Sequence, residues 1–329
     1  MCKKIISVLL TIAITALSTS AFAVGESGVP SLIIPPGARA NGMGSAFVAV
    51  ADDATASWWN PGGLAFLQKR QLTFMHSQLV PDLASDVYYE YLGYTNEISN
   101  FGTLGFSITY LTYGESFKTD NFGNVLDPFT SWEVSGVASF ALPIRNNIGI
   151  GLSMKFIHAD YAPAWATQEG LRGAGSTVAA EIGMLWKFPS KRLNVGAAIA
   201  NIGPDIAYID PEQSDPLPTI LRVGAAFTAT SSDISRLLFT FDIEQSLVWL
   251  VQSNIKTRRG EVWHAGAEYL YLNLLAGRLG YVYDADGDIR AATFGLGFIY
   301  KDRIRLDYAS VPQAQDLERV HRWSIGMSF

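Results

Sequence analysis

The 329 residues hold one cysteine, Cys2, inside a segment that reads as a cleaved leader. The mature chain is therefore expected to have no disulfide, no thiolate metal site and no cysteine chemistry. Charge is scarce at 16 % of residues. No apolar run beyond the leader reaches the roughly 20 residues that a spanning helix needs. The four histidines, His76, His158, His264 and His321, are far apart, with no i, i+4 pair and no Glu between them, which excludes zincin spacing. No nucleophile motif accompanies them. Gly42-Met43-Gly44 is a fragment of a nucleotide-binding glycine loop and follows no strand. Asp284 to Asp288 places its glycine too early for a calcium loop and lacks the closing Glu, so it reads as an exposed hairpin loop. A non-enzymatic chain without cofactor or metal is expected, and nothing points to nucleic acid.

At the start, Lys3 and Lys4 precede an apolar run from Ile5 to Leu17, then Ala21-Phe22-Ala23. A charged n-region, an apolar h-region and an A-x-A site predict a signal peptide over 1–23 and a mature chain from Val24. Its removal leaves 22 Lys and Arg against 30 Asp and Glu, a formal charge of −8.

Composition alone does not set the fold, since 49 % hydrophobic residues and 30 glycines suit a buried core as well as a membrane wall. Periodicity does. In Thr103 to Thr112 the residues Leu104, Phe106, Ile108 and Tyr110 share one face, with Thr103, Gly105, Ser107 and Thr109 on the other. A period of two means strand. The pattern predicts strands near 71–80, 86–96, 102–113, 130–142, 146–158, 176–188, 192–202, 219–229, 236–246, 262–271, 274–283, 291–300, 302–311 and 321–329. One face of these segments is apolar and uncharged, as in Ile148, Ile150, Leu152, Met154 and Phe156. Charge sits on the opposite parity: Glu133, Lys155, Glu181, Lys187, Arg222, Asp242, Glu244, Glu268, Arg278, Arg303, Arg305, Asp307 and Arg322. A basic side chain on the lipid face costs about 2–4 kcal/mol at the bilayer midplane and little in a wet lumen. The expected fold is all-β, a transmembrane antiparallel β-barrel of about 14 strands, with Ile150→Arg blocking assembly and Ser153→Arg tolerated.

Alternating short and long connections place the barrel in a bacterial outer membrane, with the short turns and both termini periplasmic. Outer-membrane lipid is then an obligatory partner. The last strand alternates Trp323, Ile325, Met327 and Phe329 with small residues. A final strand of that form resembles the signal read by the barrel-assembly machinery.

Three regions follow: 1–23 signal peptide, 24–68 N-terminal plug segment and 69–329 transmembrane barrel. Residues 24–68 are too apolar for a tail and too irregular for a strand, so they are expected inside the barrel, where non-helical backbone is tolerated, as a plug with one short helix. Asn60-Pro61-Gly62-Gly63 has turn chemistry, either as a gate or simply as the turn that fits the segment in place. Asp52 and Asp53 either latch onto lumenal Arg222, Arg303 or Arg305, or are solvated. The lumenal charges are of both signs, unlike the single-sign ring of an ion-selective pore.

The run Gly37-Ala38-Arg39-Ala40-Asn41-Gly42-Met43-Gly44-Ser45-Ala46-Phe47-Val48-Ala49-Val50-Ala51-Asp52-Asp53-Ala54, followed by Trp59-Asn60-Pro61-Gly62-Gly63-Leu64, resembles the N-terminal signature of the FadL-like outer-membrane proteins. Asn201-Ile202-Gly203-Pro204 and Pro216-Leu217-Pro218 are similar to that group too. Chain length and these motifs resemble its PorV/PorQ branch over essentially the whole mature chain. Ser45 stands where that signature usually has glycine, and Gly62 where it usually has alanine. The resemblance implies an accessory of type IX-like secretion or surface attachment that captures secreted proteins through a C-terminal sorting domain. Long loops carrying Tyr161, Trp165 and Tyr208 are then candidate docking elements. The wider group implies an alternative, a transporter of long-chain fatty acids or other hydrophobic small molecules, which needs an apolar pocket. A plugged barrel that anchors other envelope proteins is a third reading.

Overall fold

The computed structural model describes residues 27–98, 101–120, 122–251, 259–313 and 317–329. The leader expected at 1–23 lies outside these residues. Fourteen strands form one closed antiparallel barrel: β1 Gln71–Gln78, β2 Val87–Ile98, β3 Gly102–Thr119, β4 Val125–Arg145, β5 Ile148–Ala162, β6 Gly173–Phe188, β7 Leu193–Ile202, β8 Ile220–Ser231, β9 Ser235–Ser246, β10 Val262–Tyr271, β11 Leu275–Asp284, β12 Ile289–Tyr300, β13 Ile304–Val311 and β14 Val320–Ser328. Each strand pairs with its neighbours in sequence, and β1 closes on β14 with Phe74 opposite Ile325 and Ser77 opposite Arg322. Closure leaves no unpaired edge, which is what a β-structure in lipid requires.

The alternation resolves into two faces. Along β5, Leu152, Met154 and Phe156 are exposed, while Ser153, Lys155 and Ile157 between them are buried. Two aromatic belts border the outer surface. Near the long connections, His76–Tyr88, Tyr88–Tyr110, Tyr110–Trp132 and Trp132–His158 follow one another at centroid distances of 5.3 to 6.3 Å. Near the short connections lie Phe101–Phe140 and Trp186–Phe188, at 5.6 and 4.4 Å. Such girdles mark the two membrane interfaces of an outer-membrane barrel.

Several strand ends differ from expectation. β3 and β4 run on to Thr119 and from Val125, so the connection expected over 114–129 shrinks to 120–124 and a hairpin projects past the belt. The cause is a register shift between Thr112 and Glu115, with Gly114 at φ +75°, which puts the alternation out of phase. β13 starts at Ile304 because Lys301 and Asp302, at φ 51° and 53°, make the tight turn after β12. Arg303 is therefore an exposed turn residue rather than a strand residue facing the lumen.

The first described residues lie at the long-connection end, where the Gly28 amide donates to the Pro216 carbonyl at 2.9 Å. Phe329 is at the other end, its amide donating to Arg70 at 3.0 Å.

Candidate functional site

From Gly28 the chain runs through the barrel interior before it enters β1. It forms a 3-10 turn at Pro30–Ile33, helix α1 at Ala38–Gly42, helix α2 at Ala56–Trp59 and a second 3-10 turn at Pro61–Phe66. There are thus two short helices where one was expected. Pro30 and Pro61 occupy first helical positions, where a missing N–H costs nothing. Asn60 caps the second turn by accepting the Gly62 amide at 3.0 Å. The chain reverses after α1 with Gly44 at φ +67° and Ser45 at φ 64°. Met43, Phe47, Trp58 and Trp59 are buried with Met75, Tyr89, Tyr91 and Leu111 of the wall in one apolar cluster.

Glycines in the wall receive this segment. A Cβ on Gly280 would lie 2.0 Å from the Gly44 nitrogen, and one on Gly266 2.3 Å from the Met43 carbonyl oxygen. The Gly44 amide donates to Thr293 Oγ1 at 2.9 Å, Thr293 donates to the Gly42 carbonyl at 3.1 Å, and His264 Nδ1 meets the Gly44 carbonyl at 2.7 Å. Across the barrel, a Cβ on Gly183 would meet Asn60 Oδ1 at 2.2 Å, and one on Gly151 the Pro61 backbone at 2.3 Å. Asn60 Nδ2 donates there to the Met184 carbonyl at 2.9 Å and to Val48 at 2.8 Å. Between these anchors the Val48 amide donates to Asp242 at 2.8 Å. The wall thus touches Gly42, Met43, Gly44, Asn60, Pro61 and Gly62, while Gly63 packs on Ala51 within the segment.

Charge organises the short-connection side. The Arg39 guanidinium reaches Glu268 of β10 through Nε at 2.8 Å and Nη2 at 3.0 Å, binds Asp52, and lies 3.6 Å from Asp53. Arg236 and Arg278 also bind Glu268, at 3.0 and 2.8 Å, and Arg278 pairs with Asp307 at 2.8 Å. Burial opposes the charge on Asp52, but Arg39 outweighs it and holds the carboxyl below its ordinary value. The latch is therefore Arg39, a residue of the segment's own signature, and not Arg222, Arg303 or Arg305. Arg222 instead pairs with Glu244 at 2.8 Å and stacks over Trp58 at 4.2 Å. Lys155 pairs with Glu181 at 2.6 Å and donates to Asn201 at 2.7 Å. Arg303 and Arg305 line a cavity at the short-connection mouth.

The loop aromatics divide. Tyr161 turns inward and donates to Glu133 at 2.7 Å; Glu133 also accepts from Tyr113 and from the Ser31 amide. Tyr208 packs on Tyr161 at 4.9 Å. Both thus brace the interior rather than present a free face. Trp165 stays exposed, edge-on to Phe129 at 5.8 Å. Phe117 and Phe122 of the projecting hairpin, unmarked by alternation, are exposed as well. On β14, Trp323, Ile325 and Met327 point outward, and Phe329 follows, exposed.

The family model described as type IX secretion system protein PorV matches residues 19–252. Among solved structures, the Pseudomonas putida toluene transporter TodX is similar with a TM-score of 0.60 at 12 % identity, over 94 % of this chain and 98 % of that one. The Ralstonia pickettii toluene transporter TbuX gives 0.56 at 13 %, over 89 % and 98 %. A Pseudomonas aeruginosa FadL homologue gives 0.52 at 10 %, over 93 % and 99 %. Identities this low show a shared barrel fold. No curated protein matches the sequence.

Proposed function

The chain belongs to the family of the type IX secretion system protein PorV, and from that membership we propose that this outer-membrane barrel is a non-enzymatic accessory of protein secretion or surface attachment. It binds secreted proteins through their C-terminal sorting domain at its long-connection end, which faces the cell exterior, while the short connections and Phe329 face the periplasm. Trp323, Ile325, Met327 and Phe329 present the strand that the barrel-assembly machinery selects. The N-terminal segment expected over 24–68 serves as a plug.

The observation that supports an accessory over a conduit is the packed interior. Met43, Phe47, Trp59 and Leu64 are at most 2 % exposed inside the ring of strands, so they leave a solute no free apolar surface there. Binding is then left to the outside, where the β3–β4 hairpin offers exposed Phe117 and Phe122, and its Lys118 donates to the carbonyl of exposed Trp165 at 2.7 Å. Exposed aromatics of this kind supply interface anchors.

Tagged protein extracted gently from its native outer membrane, with mass spectrometry of proteins and lipids that accompany it, tests the reading. Surface proteins sharing one C-terminal domain are expected, and their loss when residues 116–128 are replaced by a short turn, with the barrel still folded. Stoichiometric fatty acid or hydrocarbon without a protein partner would instead establish the transporter reading.

A further inference from the structure

At the short-connection mouth, the lumenal segment and the ends of β1, β13 and β14 enclose a cavity of about 320 Å³. Most of its charged lining is already committed. Arg39 is held by Asp52, Asp53 and Glu268, Arg236 by Glu268, and Asp307 by Arg278. Lys69, Arg303 and Arg305 line the same space. Among the described residues, none of these three has a carboxylate oxygen within 4.0 Å. Asp302 is the one lining acid in the same position. Three cations outside any direct ion pair thus face one such carboxylate, in a chain whose formal charge is −6.

Arg305 projects inward from β13 and is largely covered. Among the described residues no carboxylate bonds directly to its guanidinium, although Asp307, Glu268 and Asp52 act on it from a distance, and an anion in the adjacent space would supply the direct partner that a covered guanidinium favours. The planar fork of an arginine suits carboxylate and phosphate oxygens, and a lysine adds a point charge. We propose that this mouth cavity is an oxyanion-binding site, for a phosphate or a carboxylate, with Arg305, Lys69 and Arg303 as its charged contacts. Its volume lies at the low end of the roughly 300–1,000 Å³ of small-ligand pockets, so it takes a small solute or a few residues of an acidic peptide. The site lies at the opposite end from the long connections and does not depend on cargo capture. Arg39 forms part of its wall, so a bound oxyanion sits beside the ion pairs that hold the lumenal segment.

Full-length protein in detergent, titrated calorimetrically at constant ionic strength with sodium phosphate and separately with a triglutamate peptide, tests the proposal. Saturable one-site binding of one probe is expected, weakened about tenfold or more, a loss of about 1.4 kcal/mol, by Arg305→Gln. Binding of phosphate alone identifies a free anion as the source; preference for triglutamate identifies peptide carboxylates. Arg303→Gln, on an exposed turn, is the second variant should Arg305→Gln fail to fold, as judged by heat-modifiable gel migration, and it too is expected to weaken binding. Flat titrations with both probes, or binding unchanged in both variants, overturn the site.

Discussion

Arg39 and Glu268 stand 229 positions apart in sequence and meet through two parallel hydrogen bonds of 2.8 and 3.0 Å, both side chains almost wholly buried. A bidentate pair of this kind fixes orientation as well as distance. It ties α1 to β10, and through the further pairs of Glu268 it ties α1 to β9 and β11.

Arg39→Met removes the partner of Asp52 and Asp53 and one of three partners of Glu268. Breaking a buried pair costs roughly 3–5 kcal/mol, and the low end is expected because Arg236 and Arg278 remain on Glu268. The cost falls on attachment of the segment rather than on the ladder of the barrel. Protease should therefore cut within 37–60 faster than in wild type, while heat-modifiable migration stays unchanged. The Asp52–Arg39 part of the attachment is also pH dependent. With its folded value lowered, Asp52 contributes in full above the unfolded carboxyl value of about 3.9. That contribution is lost as pH falls through the lower folded value, so acid should raise cleavage in wild type and leave Arg39→Met less changed.

The wall glycines give a sharper contrast. Gly280 and Gly277 lie on the same strand, β11. A methyl at 280 would strike the backbone of Gly44, while one at 277 meets nothing within 4 Å. Gly280→Ala should destabilise the protein by about 1–3 kcal/mol through overpacking, and Gly277→Ala should be near neutral, in urea unfolding followed by tryptophan fluorescence. Equal effects would contradict the placement of Gly42-Met43-Gly44.

Much of the barrel was legible because lipid outside and packed interior impose opposite chemistries on alternate residues, and the face of every long strand follows from that alone. What alternation does not carry is where it breaks phase. Gly114 hid the upper hairpin, and the Lys301-Asp302 turn moved Arg303 out of the wall. Alternation separates the two faces without showing how tightly the inner one is packed, so by itself it allows Ser153→Arg. Ser153 is in fact 2 % exposed and bonded to Ser139 at 2.8 Å, so an arginine there has no room. Inward glycines were the available signal, since Gly149, Gly151 and Gly183 align opposite the Asn60-Pro61-Gly62 turn. The Arg39 latch is not legible in alternation, because Arg39 lies in a segment without strand period and its partner Glu268 stands 229 positions away.

The two departures from the signature should respond with opposite signs. Ser45 sits at φ 64°, a conformation that costs an L-residue roughly 1–2 kcal/mol and glycine little. Ser45→Gly, the usual residue, is expected to stabilise by about 1 kcal/mol, less a weak hydrogen bond to Asn41 at 3.3 Å. At 62 the usual alanine would bring its Cβ to 2.8 Å from both the Gly183 carbonyl oxygen and Met184 Cα. Gly62→Ala should therefore destabilise, and unfolding midpoints of the two variants decide both signs.

A last test addresses the membrane itself. Leu152 is 59 % exposed between the two aromatic belts, and Phe122 is 91 % exposed at the tip of the hairpin beyond them. By water-based reasoning an arginine is harmless at either position. In a bilayer it costs about 2–4 kcal/mol at the midplane and almost nothing outside it. Leu152→Arg should cut the amount of folded barrel in outer-membrane fractions several-fold, and Phe122→Arg should leave it unchanged. If both variants assemble equally well, lipid does not cover β5. If Phe122→Arg alone fails, the hairpin tip lies within the membrane and not above it.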